Sequence, residues 1–459
     1  LAVLHSAAVH PKWGRWTIVC ARPVRVLEVK DPSGPDPFEL LSEAVRAMRV
    51  ERLAHPEVPF VGGWVGWLGY EAGRFLEDLP GLARADVHLP VARFGLYGSA
   101  AVYDHLAGRW YVTGVELPGV AEGLAGRDGI AFWRGMLTEA GSRVLDLPSR
   151  VAGQDNGKGP ARAGSSDTTD GSAPVAAVDA YIKTMQPSLT DEQFQAAVAR
   201  VIEYIAAGDI YQANLTRRLT TTLPVEPVEL YLRLCETNPA WYAAYFGLGD
   251  KAVLSSSPEL FLQARDGHVI TRPIKGTRPR VGEAAADARA VQELLASEKD
   301  RAELTMIVDL QRNDLGRVCE FGSVRVVEPF GLEEHPTVYH LVATVEGQLR
   351  EGLDCVDLLR ATFPGGSITG APKIRAMQII DELEPVVRSV YCGSIGYVGL
   401  DGRMTMNIAI RTLIVDGQKV HLYVGGGIVA DSQPAAELAE TTAKARGMAR
   451  ALMKPRTEG

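Results

Sequence analysis

Residues 148–174, PSRVAGQDNGKGPARAGSSDTTDGSAP, hold one large apolar side chain, Val151. A stretch this rich in Gly, Ser, Asp and Pro cannot bury enough apolar surface to offset the entropy of ordering it. Any core must therefore be assembled from the segments on either side. The chain divides into an N-terminal segment over 1–147, an expected disordered linker over 148–176 and a main body over 177–459. With 459 residues, 46% of them hydrophobic, there is material for one large core or for two to three smaller ones.

Charge and cysteine usage exclude several classes. The 48 Lys and Arg against 56 Asp and Glu leave a formal net charge of −8, so a phosphate backbone would be repelled on average and nucleic acid is not an expected partner. An anionic small molecule would need a local basic cluster or a metal ion. Cys20, Cys235, Cys319, Cys355 and Cys392 are scattered, with no C-x-x-C pair. That spacing argues against a disulfide framework or a structural zinc site and fits a reducing cytoplasm. No apolar run reaches the roughly 18 residues of a membrane helix, so no membrane association is expected.

Periodicity points to an α+β chain. Thr190-Asp-Glu-Gln193 reads as a capping box, followed at helical spacing by Phe194, Val198, Val201, Ile202 and Ile205 and closed by Gly208. Further helices are predicted over about 287–297, 300–314, 371–383 and 435–452. Strands are predicted at Trp16–Cys20, Ala100–Asp104, Lys251–Ser255, His268–Ile270, Gly393–Val398 and Val420–Val424.

Four clusters carry candidate chemistry. In the first, Ser257-Pro-Glu259 and Arg272-Pro-Ile-Lys275-Gly-Thr-Arg278 flank an Asp266-Gly267 turn, so a hairpin would bring Glu259 and Lys275 together. The flanking Arg272 and Arg278, together with desolvation, are expected to lower the Lys275 pKa, as a nucleophilic amine requires. The same spacing fits an ordinary cross-strand surface pair. In the second, Glu303 shares a helix face with Ile307, Leu310 and Asp314; it reads either as a metal ligand or as a partner for Arg301 or Arg312. The third is a Gly425–Gly427 triplet, expected as an anion-binding turn between strand and helix, followed by Glu440 and Lys444, which as an i, i+4 pair also fit a solvated salt bridge. Glu303 and Glu440 together could hold one Mg²⁺. The fourth, FPGGSITGAPK over 363–373, lacks the phosphate-loop pattern, because Pro372 precedes its lysine.

RPIKGT, SEKDRAEL, IVDLQRNDLG, FPGGSITGAPK, IAIRT, GGGIVADS and AAELAETTAKA, in that order, resemble the chorismate-utilising enzyme family. The resemblance covers nearly the whole chain. It implies the family fold, two packed antiparallel β-sheets flanked by helices, and it implies site roles. Glu303 and Glu440 match magnesium ligands, and Glu259 matches the general acid for the departing C4 hydroxyl. Arg411 and Tyr397 match groups around the enolpyruvyl carboxylate; Gly426, Gly427 and Lys444 lie near substrate carboxylates; Thr277 and His340 line the ring.

Within the family, relatives that aminate chorismate at C2 usually carry alanine where this chain has Lys275. Relatives that add water at C2 carry a base lysine where this chain has Gln212, and an amide has no useful basicity. The pair implies a transferase aminating C4, with Lys275 as covalent nucleophile. Ammonia would come from a separate glutamine amidotransferase subunit, because the chain contains no G-x-C-x-G elbow. The rival readings are amination at C2 and a catalytically silent tryptophan-binding subunit; the intact Glu259, Lys275, Glu303 and Glu440 speak against the latter. Ser6, Trp13, Gly14, Arg15 and Trp16 match part of a tryptophan pocket found in some relatives. Trp241, Tyr242 and Ala243 depart from its usual pattern, a stretch that could fill the cavity and so speaks against tryptophan binding.

Overall fold

The capping box at Thr190 starts a helix over Asp191–Ala206: the Thr190 hydroxyl accepts from the Gln193 amide, and the Gln193 side chain accepts from the Thr190 amide. Phe194, Val198 and Val201 are buried along it, and the chain leaves the helix through Gly208, at a φ of +84° that favours glycine. The computed structural model describes residues 1–50, 57–117, 125–141, 173–336 and 338–453. The expected linker lies outside the described residues up to 172; Val175 and Ala176, its last two positions, instead open a helix over Val175–Thr184.

The other predicted elements form close to their expected places. Helices run over Ala284–Ala296, Glu298–Gly316, Lys373–Leu383 and Pro434–Met453. The strands build two sheets, of eleven and ten strands among the described residues, with antiparallel neighbours. The eleven-stranded sheet places Gln212–Thr222, Lys419–Ile428, Thr412–Asp416, Lys251–Ser257 and Tyr242–Leu248 side by side, then continues into Ala2–His5 and Trp16–Cys20. The ten-stranded sheet runs from Ile274–Pro279 through Val338–Gln348, His268–Arg272, Leu260–Arg265, Met404–Asn407 and Ser394–Gly399 to Gly63–Leu68. Strands from the first 114 residues thus enter both sheets beside strands from the main body.

The sheets face one another across the main core, where Trp67 of one meets Phe246 of the other edge-on at 5.3 Å between ring centroids. Leu230, Leu234, Ala445, Met448 and Ala449, from helices Pro227–Thr237 and Pro434–Met453, cover the outer face of the eleven-stranded sheet over Leu254 and Leu422. This is the expected α+β architecture of packed antiparallel sheets flanked by helices.

Two crossings between the sheets matter most for function. Strand Lys251–Ser257 lies in the first sheet and Leu260–Arg265 in the second, so Glu259 stands where the chain changes sheet. Met404–Asn407 lies in the second and Thr412–Asp416 in the first, so Arg411 stands at the reverse crossing. The crossings are tied together: the Ser257 hydroxyl donates to the Ile408 carbonyl at 2.5 Å, and the Ile408 amide donates to the Glu259 carbonyl at 3.0 Å. Residues 150 apart in sequence are thereby held as neighbours.

Candidate active site

The expected hairpin is present, with Leu260 paired to Arg272 and Arg265 to His268 around the Asp266-Gly267 turn. Lys275 follows on the strand Ile274–Pro279, at the edge of the ten-stranded sheet. A bulge between Lys275 and Thr277, with Gly276 at φ +74°, breaks the register there; bulges of this kind re-aim side chains beside functional sites. A side chain at Gly276 would also collide with Leu294 and Asp300, its Cβ falling 2.8 and 2.9 Å from their atoms.

Lys275 is partly buried, and its ammonium donates to the Ser367 carbonyl at 3.1 Å. Desolvation lowers its pKa, while the charges that reach it are Glu303, Glu259, Lys444 and Glu440. The expected influence of Arg272 and Arg278 is corrected here. Arg272 turns away to the Glu333 and Glu328 carboxylates and lies 4.2 Å from the Trp13 ring centroid, and Arg278 pairs with Asp300 at 3.0 Å. Burial, not neighbouring cations, is the main force lowering the lysine.

Glu259 is 3% exposed, and one of its carboxylate oxygens has no hydrogen-bond partner among the described residues. Desolvation pushes its pKa up to about 7, which keeps a proton on it near neutrality. A weakly solvated amine and a readily protonated carboxyl therefore lie within electrostatic reach of one another.

Glu303, on helix Glu298–Gly316, projects into the same cleft with its side chain 15% exposed; burial raises its pKa, and Glu440 adds to that rise. Its nearest cation is Lys299, at 3.9 Å; the expected alternative partners, Arg301 and Arg312, instead stack on Phe330 and pair with Asp309. Glu440 lies on the solvent side of the cleft, 2.7 Å from Lys444, which draws its pKa down against partial burial. Lys444 also donates to the Gly425 carbonyl at 2.8 Å.

The Gly425–Gly427 triplet differs from the expected turn. It lies inside the strand Lys419–Ile428, paired with Thr216, Leu215 and Asn214. Glycine is required by close approach rather than by an exposed anion nest. A Cβ at Gly425 would fall 2.4 Å from the Leu215 carbonyl, one at Gly426 3.0 Å from the Glu437 carboxylate and 3.8 Å from that of Glu440, and one at Gly427 2.3 Å from the Gln212 amide nitrogen. Gln212 is fully buried, and neither amide atom has a partner among the described residues.

Arg411 adopts φ +50° and is partly buried, with its pKa lowered to about 10 by desolvation. Its guanidinium donates to His340 Nε2 at 3.2 Å, and His340 Nδ1 lies 2.9 Å from the Thr277 hydroxyl. Thr277, His340 and Arg411 are therefore brought together as expected. Tyr397 is not: its ring packs edge-on to Phe60, and its hydroxyl accepts from Thr405 within the sheet. The stretch from Thr405 to Arg411 includes the crossing between sheets, which carries Arg411 away from that strand.

Sequence reading missed Glu437 and Ser367. Glu437 is buried, accepts from the Ser432 hydroxyl at 2.6 Å and faces Gly426. Its signal was its place three residues before Glu440 on one helix face. Ser367 lies in the FPGGSITGAPK stretch, whose Lys373 pairs with Asp314 at 2.6 Å and so props helix Glu298–Gly316.

At the N-terminal end, the Ser6 hydroxyl donates to the Trp16 and Trp241 carbonyls at 2.9 and 3.2 Å, and Arg15 pairs with Asp104 at 2.7 Å. Tyr242 and Ala243 lie on the neighbouring strand, where Ala243 pairs with His5. The Trp241 indole, 5% exposed, lies between the rings of His10 and His335 and leaves no room for a side chain at Gly14.

Residues 5–450 match the chorismate binding enzyme family. The chain belongs to that family. It is thus a chorismate-utilising enzyme, and the curated relatives it resembles include two activities. It is 38% identical to aminodeoxychorismate synthase component 1 of Klebsiella aerogenes, over 96% of this chain and 90% of that one. It is 41% identical to anthranilate synthase component 1 of Streptomyces coelicolor, over 98% of this chain and 83% of that one. Among solved structures, anthranilate synthase component I from Streptococcus pneumoniae superposes with a TM-score of 0.76 at 28% identity, covering 96% of this chain and 93% of that one. No helix among the described residues is long and apolar enough to cross a membrane.

Proposed function

We propose that this chorismate-utilising enzyme aminates its substrate at C4, giving 4-amino-4-deoxychorismate, the precursor of 4-aminobenzoate and folate. The observation that carries the reading is the pairing of Lys275, an amine made less basic by desolvation, with Glu259, a carboxyl whose pKa burial raises to about 7 and whose charge reaches the lysine. The neutral Lys275 Nζ bonds to ring C2, both ring double bonds shift by one position, and the C4–O bond breaks as Glu259 gives its proton to the leaving hydroxyl, which departs as water. Ammonia then bonds to C4, both double bonds shift back, and the C2–N bond breaks to release the lysine as a neutral amine. The Glu259 carboxylate takes up the proton that ammonia loses. Arg411, with His340 and Thr277 behind it, holds a substrate carboxylate, and Lys444 screens the ring carboxylate. Gln212 has no basic nitrogen with which to activate water at C2.

Glu303 and Glu440 fit a magnesium ion: both are hard oxygen donors, Glu303 is partly buried, and the Glu440 charge reaches it. Among the described residues no three acidic, His or Cys side chains converge as a metal cage, so the donor set suits an ion that completes its shell with substrate oxygens and water. Bound there, Mg²⁺ would neutralise the ring carboxylate. Glu437, beside Gly426, supports the Glu440 side of that site.

Ammonia is assigned to a glutamine amidotransferase subunit, consistent with the "component 1" names of the relatives and with the lack of a G-x-C-x-G motif. Five free cysteines suit a cytoplasmic enzyme. The second reading, amination at C2, is favoured by the anthranilate-forming relative of similar identity. Purified chain given chorismate, Mg²⁺ and ammonium should yield 4-aminobenzoate once an aminodeoxychorismate lyase is added. Glutamine should replace ammonium only when an amidotransferase subunit is present. Fluorescent anthranilate as the main product would establish the second reading instead.

The pH profile offers a separate check. Glu259 must be protonated to act, so kcat/KM should fall as pH rises through about 7. Glu259→Gln should lower the rate on the order of 100-fold and abolish that alkaline limb. A limb unchanged in the variant would assign it to another group.

A further inference from the structure

We propose that His335 is a positioning residue: its ring, wedged between Trp241 and His340, fixes the His340 imidazole and, through it, the Arg411 guanidinium that receives a substrate carboxylate. The inference rests on the reading of Arg411 given above and extends it to a residue outside the cleft.

The argument begins with Arg411. No ion pair restrains its guanidinium among the described residues, and the side-chain partner that holds it is His340 Nε2 at 3.2 Å. Guanidinium can only donate, so Nε2 must accept, and the proton of the neutral ring sits on Nδ1. Nδ1–H then donates to the Thr277 hydroxyl at 2.9 Å, which leaves the Thr277 O–H free to donate outward. One ring orientation and one tautomer of His340 therefore set the direction of every hydrogen bond from Arg411 to Thr277. A hydrogen bond of 3.2 Å tolerates little tilt before it is lost.

What prevents that tilt lies behind His340. His335 is 1% exposed and meets His340 edge-on, with ring centroids 5.1 Å apart and planes at 72°. The same ring packs on the Trp241 indole at 4.4 Å, and Trp241 in turn packs on His10 at 4.7 Å. His335 is also held at the turn between the strands Arg325–Glu334 and Val338–Gln348, with Nε2 3.3 Å from the Glu333 carboxylate and the backbone amide donating to the Val338 carbonyl at 2.9 Å. Glu333 is itself bound by Arg272. His335 Nδ1 has no partner among the described residues, so a flat ring of this size, rather than a second polar contact, is what the position uses. Truncation would open space beside His340 in a close-packed interior, where a void of even a few atoms is felt by its lining.

The test compares wild type, His335→Ala, His335→Leu, His335→Phe and Arg411→Gln with chorismate at saturating ammonium and Mg²⁺. His335→Ala and His335→Leu should each raise KM for chorismate about tenfold while kcat changes less than about threefold, the pattern of lost binding shared by ground and transition states. His335→Phe, which keeps the flat ring, should stay within about twofold of wild type. Nitrogen-15 NMR of the imidazoles should show His340 as a single Nδ1–H tautomer in wild type and His335→Phe, and as a mixture in the leucine variant. The leucine variant preserves volume and serves if the alanine variant does not fold. A wild-type KM in a folded leucine or alanine variant, or a phenylalanine variant as impaired as alanine, overturns the proposal. Arg411→Gln separates the two levels: if it leaves KM unchanged, the carboxylate-binding reading of Arg411 falls, whatever the His335 variants do.

Discussion

Lys275→Ala should cut formation of the 4-amino product by on the order of 100-fold or more, the scale of losing one group aimed at the transition state. The geometry gives the reason: among the described residues no other amine shares the desolvated position beside Glu259, since Lys444 is exposed and already engaged by Glu440 and the Gly425 carbonyl. The variant keeps Glu259, Glu303, Glu440 and Arg411, so chorismate should still bind and direct attack by ammonia at C2 becomes the remaining route. Some 2-amino product should appear. The decisive measurement is mass spectrometry of wild-type enzyme incubated with chorismate and no ammonia, which should find an adduct on the peptide containing Lys275. An alanine variant that makes 4-amino product at the wild-type rate would reduce the lysine to an electrostatic role.

Glu303→Gln should lower turnover by on the order of 100-fold or more while leaving the thermal midpoint close to wild type. An amide keeps the shape of the side chain but cannot neutralise a divalent ion. The carboxyl is already raised by burial and by Glu440, so removing its charge relieves electrostatic strain in the free protein, and stability should hold or rise slightly. Mg²⁺ binding followed by calorimetry should weaken in parallel with activity, and EDTA should abolish wild-type activity. Full turnover in the presence of EDTA, or Mg²⁺ affinity untouched in the variant, would move the metal site elsewhere.

Local features were legible in the sequence because they depend on nearest neighbours. The capping box at Thr190, the helix carrying Glu303 and the Asp266-Gly267 hairpin each follow from spacing and turn chemistry, and each formed where expected. The order of motifs was enough to indicate the family, and with it the two packed sheets. Three expectations failed for one shared reason, that sequence proximity does not set direction. Arg272 and Arg278 flank Lys275 in the chain but point to Glu333 and Asp300; the glycine triplet looked like a turn but is a strand pressed against Leu215, Glu437 and Gln212; Tyr397 stays in the sheet beside Phe60.

Alone, the sequence determined which residues could supply a nucleophile, an acid and a pair of metal-binding carboxylates, because those are properties of side-chain type and helical or hairpin spacing. Tertiary structure decided their pKa values and their company. The crossings at Glu259 and Arg411 bring together segments 150 residues apart, and it is the desolvation created there that raises one carboxyl to about 7 and lowers the lysine. Desolvation is set by everything packed around a group, and no local pattern encodes it.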